Sequence, residues 1–285
     1  MNRTFQRIAT IVCAGVLTLS LAACGGSSEP TATPQGSAAP TAAAKKLVVG
    51  ASASPHAEIL EAIKPELAAQ GIELEIKVFT DYIVPNTSLD QGDLDANFFQ
   101  HKPYMDEFNE TRKTKLSSAV AVHFEPLGIY AGKSSDLNNV PDKAVIAVPN
   151  DATNEARALQ LLEQKGVIKL KEGVGLNATK KDIAENPHNV QIREVEAAQV
   201  PRSLADADFA VINGNYALEA EVPADKLLFS EDKTSEVAQK YANILAVRTG
   251  DEDREEIKAL VSALTSETCR KFIEEKYTGR VIPVF

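Results

Sequence analysis

Tryptophan is absent from this chain, methionine occurs twice, and aromatic residues make up 6% of its 285 positions. Any local cluster of aromatic side chains therefore needs a reason. Cysteine is scarce as well. Cys13 and Cys24 fall in an N-terminal leader described below, so Cys269 has no partner and an internal disulfide is excluded. The four histidines, His56, His101, His123 and His188, are scattered, with no H-E-x-x-H or Cys–His spacing to mark a zinc enzyme. There is no G-x-S-x-G turn for a serine nucleophile and no phosphate loop of the Gx4GK type. The chain reads as a non-enzyme without cofactor or metal. Positive charge is also in deficit: 30 Lys and Arg stand against 40 Asp and Glu, for a net charge of -10. Such a balance is a poor match for nucleic acid or an anionic lipid surface.

What is present begins with a short basic head, Arg3 and Arg7, followed by an apolar run from Ile8 to Ala23. The run is too short and wrongly flanked for a stable spanning helix, and residues 1–23 read as a secretory signal. It ends on Leu21-Ala22-Ala23-Cys24-Gly25, which resembles a bacterial lipobox and implies acylation of Cys24. Two or more acyl chains would hold the protein on the extracytoplasmic face of the cell membrane. Loss of residues 1–23 removes two Arg and no acid, taking the net charge from -10 to -12. Residues 24–45 are rich in Gly, Ser, Thr, Pro and Ala, too polar and small to fold, and form a leash with a reach of roughly 25 Å.

From Lys46 the pattern becomes α/β. Lys46–Gly50 is a short apolar strand, and Ser54-Pro55 supplies an N-cap and first-turn proline. Ile59, Leu60, Ile63 and Leu67 mark a helical face that Pro65 is expected to kink, and Ile72–Phe79 alternates like a strand. A βαβ start favours a parallel sheet. Strands are expected at 117–124, 145–148, 190–195, 208–212 and 241–247, the last returning to the first domain after a crossing at Glu125-Pro126-Leu127-Gly128.

The densest stretch is Asp95–Tyr104, with Phe98, Phe99, His101 and Tyr104 in ten residues. It is either a buried strand running into a helix or an apolar slot with fixed polar tips, and these residues alone leave both readings open. Asn154 and Arg157, three apart at a helix start capped by Asn150 or Asp151, share a face where a carboxylate would be favoured. Asn213 falls at the C-terminal end of a strand, where open α/β sheets bind ligands. Of the histidines, only His101 falls in the expected cleft; the other three read as surface or cap positions.

The runs DYIVPN (81–86), GDLDANFFQHKPY (92–104), VPNDATNEAR (148–157), ENPHNVQIREVEAAQVPRSL (185–204), FAVIN (209–213) and YANILAVR (241–248) together resemble the methionine-binding lipoproteins of ABC importers. The resemblance runs from about Lys46 to the C-terminus. It implies a two-lobed periplasmic-binding-protein fold of the second type, with lobe 1 from 46–125 and 242–285 and lobe 2 from 126–241. It implies that Tyr82, Phe99, His101 and Tyr104 line the pocket on lobe 1, with Asn154, Arg157 and Asn213 on lobe 2 and Asn243 at the amino-acid head group. Arg157 would hold the ligand carboxylate. Phe98 departs from the small residue expected there, and is core if it points away from the cleft. The implied ligand is methionine of either hand; the implied partners are a permease and its ATPase subunits. A methionine dipeptide, another apolar amino acid, or an adhesion role with a vestigial cleft are the alternatives.

Overall fold

The computed structural model describes residues 44–233 and 236–285, the side chain of Val237 excepted. The signal expected over 1–23, the acylation expected at Cys24 and the expected leash up to residue 43 lie outside the described residues. Lys45, which composition assigns to the leash, already belongs to the first strand.

In chain order, β1 (Lys45–Ser52) leads through a helical turn at Ala53–Ala57 into α1 (Glu58–Ala68), β2 (Ile72–Phe79), α2 (Val84–Gln91), β3 (Ala96–His101), α3 (Lys102–Arg112) and β4 (Leu116–Phe124). The chain continues through β5 (Gly128–Ala131), β6 (Val145–Pro149), α4 (Ala152–Gln164), β7 (Lys169–Leu170), β8 (Ile183–Glu185) and β9 (Gln191–Val195). Then come β10 (Phe209–Ile212), α5 (Gly214–Glu219), β11 (Leu227–Ser230) and α6 (Glu236–Lys240). The last elements are β12 (Asn243–Arg248), α7 (Glu255–Leu264), α8 (Glu267–Tyr277) and β13 (Ile282–Pro283).

The strands form a six-stranded sheet, β13-β4-β12-β3-β1-β2, and a five-stranded sheet, β11-β5-β10-β6-β9, with β7 and β8 paired apart. This is a two-lobed α/β fold. The sheets are mixed, not parallel as the βαβ start suggests. β1 runs parallel to β2 and β3, but β12 is antiparallel to both β3 and β4. A strand that comes back from the other sheet is not bound by the crossover geometry that makes βαβ neighbours parallel. β12 therefore sits in the middle of the first sheet and carries Asn243 on its first residue.

Each sheet has its own core. Ile59, Leu60, Ile63 and Leu67 of α1 are all fully buried, packed with Ile257, Leu260 and Leu264 of α7 and Ile273 of α8. Each such side chain contributes about 1.5–3 kcal/mol through burial. Pro65 lies in the last turn of α1, which runs on to Ala68. Ser54 stays extended, but its hydroxyl reaches the Glu58 carboxylate side chain instead of capping the backbone. Cys269 is buried in this core, and burial pushes its thiol up to about 12, consistent with a structural role. The second core packs Leu159 and Leu162 of α4 against Ile146, Val148, Phe209 and Val211.

Candidate functional site

The strand β3 is buried on both faces, and its alternation separates two neighbouring rings. Phe98 points into the core, edge-on to His56 at 4.7 Å and His123 at 5.3 Å, so its size does not encroach on the cleft. Phe99 points the other way and clusters with Tyr82, Tyr104 and Phe108. Behind them Asn86, Asn97 and Gln100, all buried, bond one another at 2.6–2.9 Å and hold the strand end rigid.

His101 ends β3 and caps α3: its Nδ1 accepts the Tyr104 N–H at 3.2 Å. The ring proton therefore sits on Nε2, which lies 3.2 Å from Asn154 Oδ1 across the cleft. Burial, and after it the Arg157 charge, lower His101 to about 3, so the ring is neutral. Asp151, not Asn150, caps α4, accepting from the Asn154 N–H at 3.0 Å and from Asn154 Nδ2 at 2.8 Å. With Nδ2 spent, Asn154 Oδ1 also accepts from Asn213 Nδ2 at 2.9 Å. Asn213 is thereby oriented with its Oδ1 buried and without a partner.

Arg157 is 4% exposed and already paired. Its Nε and Nη2 chelate the Glu231 carboxylate at 2.7 and 2.5 Å, Nη2 also donates to the Glu125 carbonyl at 3.0 Å, and the guanidinium lies 4.4 Å over the Tyr241 ring. Burial alone would lower the guanidinium, but Glu231 more than reverses that and raises it. Arg157, expected at the ligand carboxylate, is thus engaged through Nε and Nη2, while its Nη1 makes no hydrogen bond to the described residues. Asn243 is held through Oδ1, 3.0 Å from His56 Nε2, and its Nδ2 makes no hydrogen bond among the described residues.

All eight expected residues, Tyr82, Phe99, His101, Tyr104, Asn154, Arg157, Asn213 and Asn243, line one cavity, together with Gln100, Glu125, Gly214 and Asn215. Contacts cross between the lobes beside it. Tyr82 Oη donates to Asn215 Oδ1 at 2.5 Å, and the Tyr82 ring stacks on Tyr216 at 4.8 Å. The cleft is closed.

Two histidines contradict the surface reading. His56 and His123 are fully buried beneath the cavity, because the end of β4 and the turn before α1 are covered on both sides. Burial lowers them to about 4 and about 3. With Glu125 they form a trio whose ligand-type atoms lie within 4.8 Å of one another. Yet His123 Nε2 already donates to Glu125 Oε1 at 2.7 Å, closer than two ligands on one ion with ~2.0–2.2 Å bonds would sit. The trio is a hydrogen-bond network.

A closed polar and aromatic cavity between two α/β lobes, with two crossings joining them, defines a substrate-binding protein of the two-lobed type. The chain belongs to the NlpA lipoprotein family, whose model matches residues 47–285. It is 37% identical over 288 residues to the methionine-binding lipoprotein MetQ of Bacillus subtilis, covering 100% of this chain and 99% of that one. It is 43% identical over 233 residues to the membrane lipoprotein TpN32 of Treponema pallidum, covering 81% and 85% of the two chains. Among solved structures, a nutrient-binding protein of Burkholderia cenocepacia bound to methionine superposes with a TM-score of 0.80 at 43% identity, covering 84% of this chain and 100% of that one. Among the described residues, no helix is long and apolar enough to cross a membrane.

Proposed function

We propose that this chain is the receptor of an ABC importer, capturing methionine outside the membrane and delivering it to the permease. The division of the cavity carries the reading. Lobe 1 offers the rings of Tyr82, Phe99 and Tyr104, whose edges suit a polarizable thioether. The rest of the lining offers Arg157 Nη1 and Asn213 Oδ1 from lobe 2 and Asn243 Nδ2 from β12 of lobe 1, two donors and an acceptor that match an amino-acid head group. The relatives named for methionine support the same ligand. In this reading 46–125 with 242–285 form lobe 1 and 126–241 form lobe 2. Cys24 carries the lipid anchor on the outer face, ATP is hydrolysed by separate subunits, and no bond is made or broken in the cleft. Ligand stabilises the closed form that the permease distinguishes from the open one.

The test is calorimetric titration after unfolding and refolding to strip bound ligand, with L-methionine, D-methionine, a methionine dipeptide, leucine and zinc. Tight methionine binding is expected, and Asn243→Ala should weaken it by about 2 kcal/mol, the scale of an unpaired head group. Binding of the dipeptide or leucine alone would change the ligand; silence from folded protein would favour an adhesion role. Tyr82→Phe should reduce methionine affinity by about 1 kcal/mol, roughly fivefold, because the closed form loses its hydroxyl bond to Asn215. Unchanged affinity in that variant would show that this cross-cleft bond does not bias closure.

A further inference from the structure

Two acceptors at one side of the cavity lack a cationic partner of their own. Asn213 Oδ1 is buried with no donor, fixed in place by the Asn154 bond to its amide nitrogen. Glu125 is 5% exposed and lines the same cavity, as do Gly214 and Asn215, and its carboxylate accepts from the Asn215 backbone N–H. A Cβ on Gly214 would lie 2.7 Å from Glu125 Cβ and 2.8 Å from its Oε2, so only glycine admits the carboxylate here.

Among the described residues, the surroundings of Glu125 contain no free cation. His123 on β4 donates from Nε2 at 2.7 Å, and its Nδ1 is buried without a partner. A second proton on that ring would be a buried, unsatisfied donor, so His123 stays neutral. His56, before α1, has Nε2 3.4 Å from Glu125 Oε1, and its Nδ1 pairs with Ser52 Oγ at 2.6 Å. Arg157 on α4 touches only the Glu125 carbonyl and gives its charge to Glu231. The other titratable neighbours, Glu219 on α5, Tyr82 before α2 and Tyr277 on α8, add no positive charge. A carboxylate buried among neutral partners is costly unless it takes a proton or meets a cation. Burial indeed raises the Glu125 carboxyl, with nearby His56 and Arg157 and the Asn215 N–H opposing the shift.

We propose that Glu125 is the counter-ion of the ligand's ammonium group, with Asn213 Oδ1 as a second acceptor, and that ligand uptake displaces a proton from the Glu125–His56–His123 network. This rests on the amino-acid-receptor reading. The proton leaves Glu125 for solvent as the ammonium enters, so the cleft wall exchanges one positive charge for another and the buried network is never left bare. A ligand without an ammonium group forgoes both acceptors.

The test is titration of L-methionine into the full chain in detergent, at one pH near neutrality, in phosphate and in Tris, whose heats of ionisation differ widely. The two observed heats should differ by the amount expected for up to one proton released per ligand. The des-amino analogue 4-(methylsulfanyl)butanoate should bind weaker by at least roughly a hundredfold and show no buffer dependence. Glu125→Gln should lose about thirtyfold in methionine affinity together with the buffer dependence. Because the first two arms use the unaltered protein, they stand even where that variant fails to fold. Equal heats in both buffers, or an analogue bound within about tenfold of methionine, overturns the proposal while leaving the receptor reading intact. Absence of binding by any amino acid overturns both.

Discussion

Arg157→Ala is expected to destabilise the protein by about 3–5 kcal/mol, beyond its effect on ligand. The reason is Glu231. Its carboxylate is 5% exposed, takes two bonds from Arg157, and accepts the Leu127 N–H at 2.8 Å. Removing the guanidinium leaves that charge buried and uncompensated, and strips the cation from the faces of Tyr241 and Phe124. The double variant Arg157→Ala, Glu231→Gln removes both charges and should recover most of the loss. It should not recover binding, because Nη1 is gone; methionine affinity should stay lower by about 2 kcal/mol, roughly thirtyfold. Chemical denaturation and calorimetric titration of the two variants separate the effects. A single variant as stable as the unaltered protein would show that the Arg157–Glu231 pair contributes nothing to the fold. A double variant that binds normally would remove Arg157 from the site.

That pair also shows where sequence reading stops. Arg157 was legible, because its spacing from Asn154 and the capped helix start put it on one face near the strand ends. Glu231 is 74 positions away, one acid among 40, with nothing local to mark it. Glu125 has the same difficulty: the crossing at Glu125-Pro126 was visible, but a single acid there carries no sign of a cavity. Helices α1 and α4 were readable from their apolar stripes, since a one-sided pattern is a local property. Strand β5 was not, because four residues buried on both faces, directly after the crossing, show no alternation. Strand direction depends on which partners meet, as the antiparallel entry of β12 shows, and pairing is long-range. His56 and His123 failed for a related reason: the residue type is compatible with surface and core, and only packing decides. Convergence of the eight site residues came from family motifs; spacing alone would have grouped only Asn154 with Arg157, and Phe99, His101 and Tyr104.

The neutral histidines lead to the second large expectation, a loss of stability in acid. His56, His101 and His123 have folded values of about 4, 3 and 3, against an ordinary 6.5. Between those limits the unfolded chain binds protons that the folded one refuses, so their contribution is complete above the ordinary value. It falls as pH drops through 6.5 toward 4 and 3. At about pH 5 each histidine should cost roughly 2 kcal/mol, a large share of an ordinary protein's 5–15 kcal/mol. Glu219 works in the opposite sense. Burial raises it to about 7, so its folded form holds a proton that the unfolded form has lost, and its contribution grows as pH falls from about 7 toward the ordinary 4.5. Burial raises Glu125 and Asp151 in the same sense, and such acids offset part of three histidines. The clean measurement is therefore a difference between variants. His101→Asn keeps an acceptor near the Nδ1 position for the Tyr104 N–H, gives up the longer-reaching bond to Asn154, and has nothing to titrate. Between about pH 7 and 5 it should lose roughly 2 kcal/mol less than the unaltered protein, read from urea midpoints at each pH. Parallel losses in the two proteins would mean that His101 accepts its proton inside the folded cleft, and that the cross-cleft bond to Asn154 tolerates a charged ring beside Arg157.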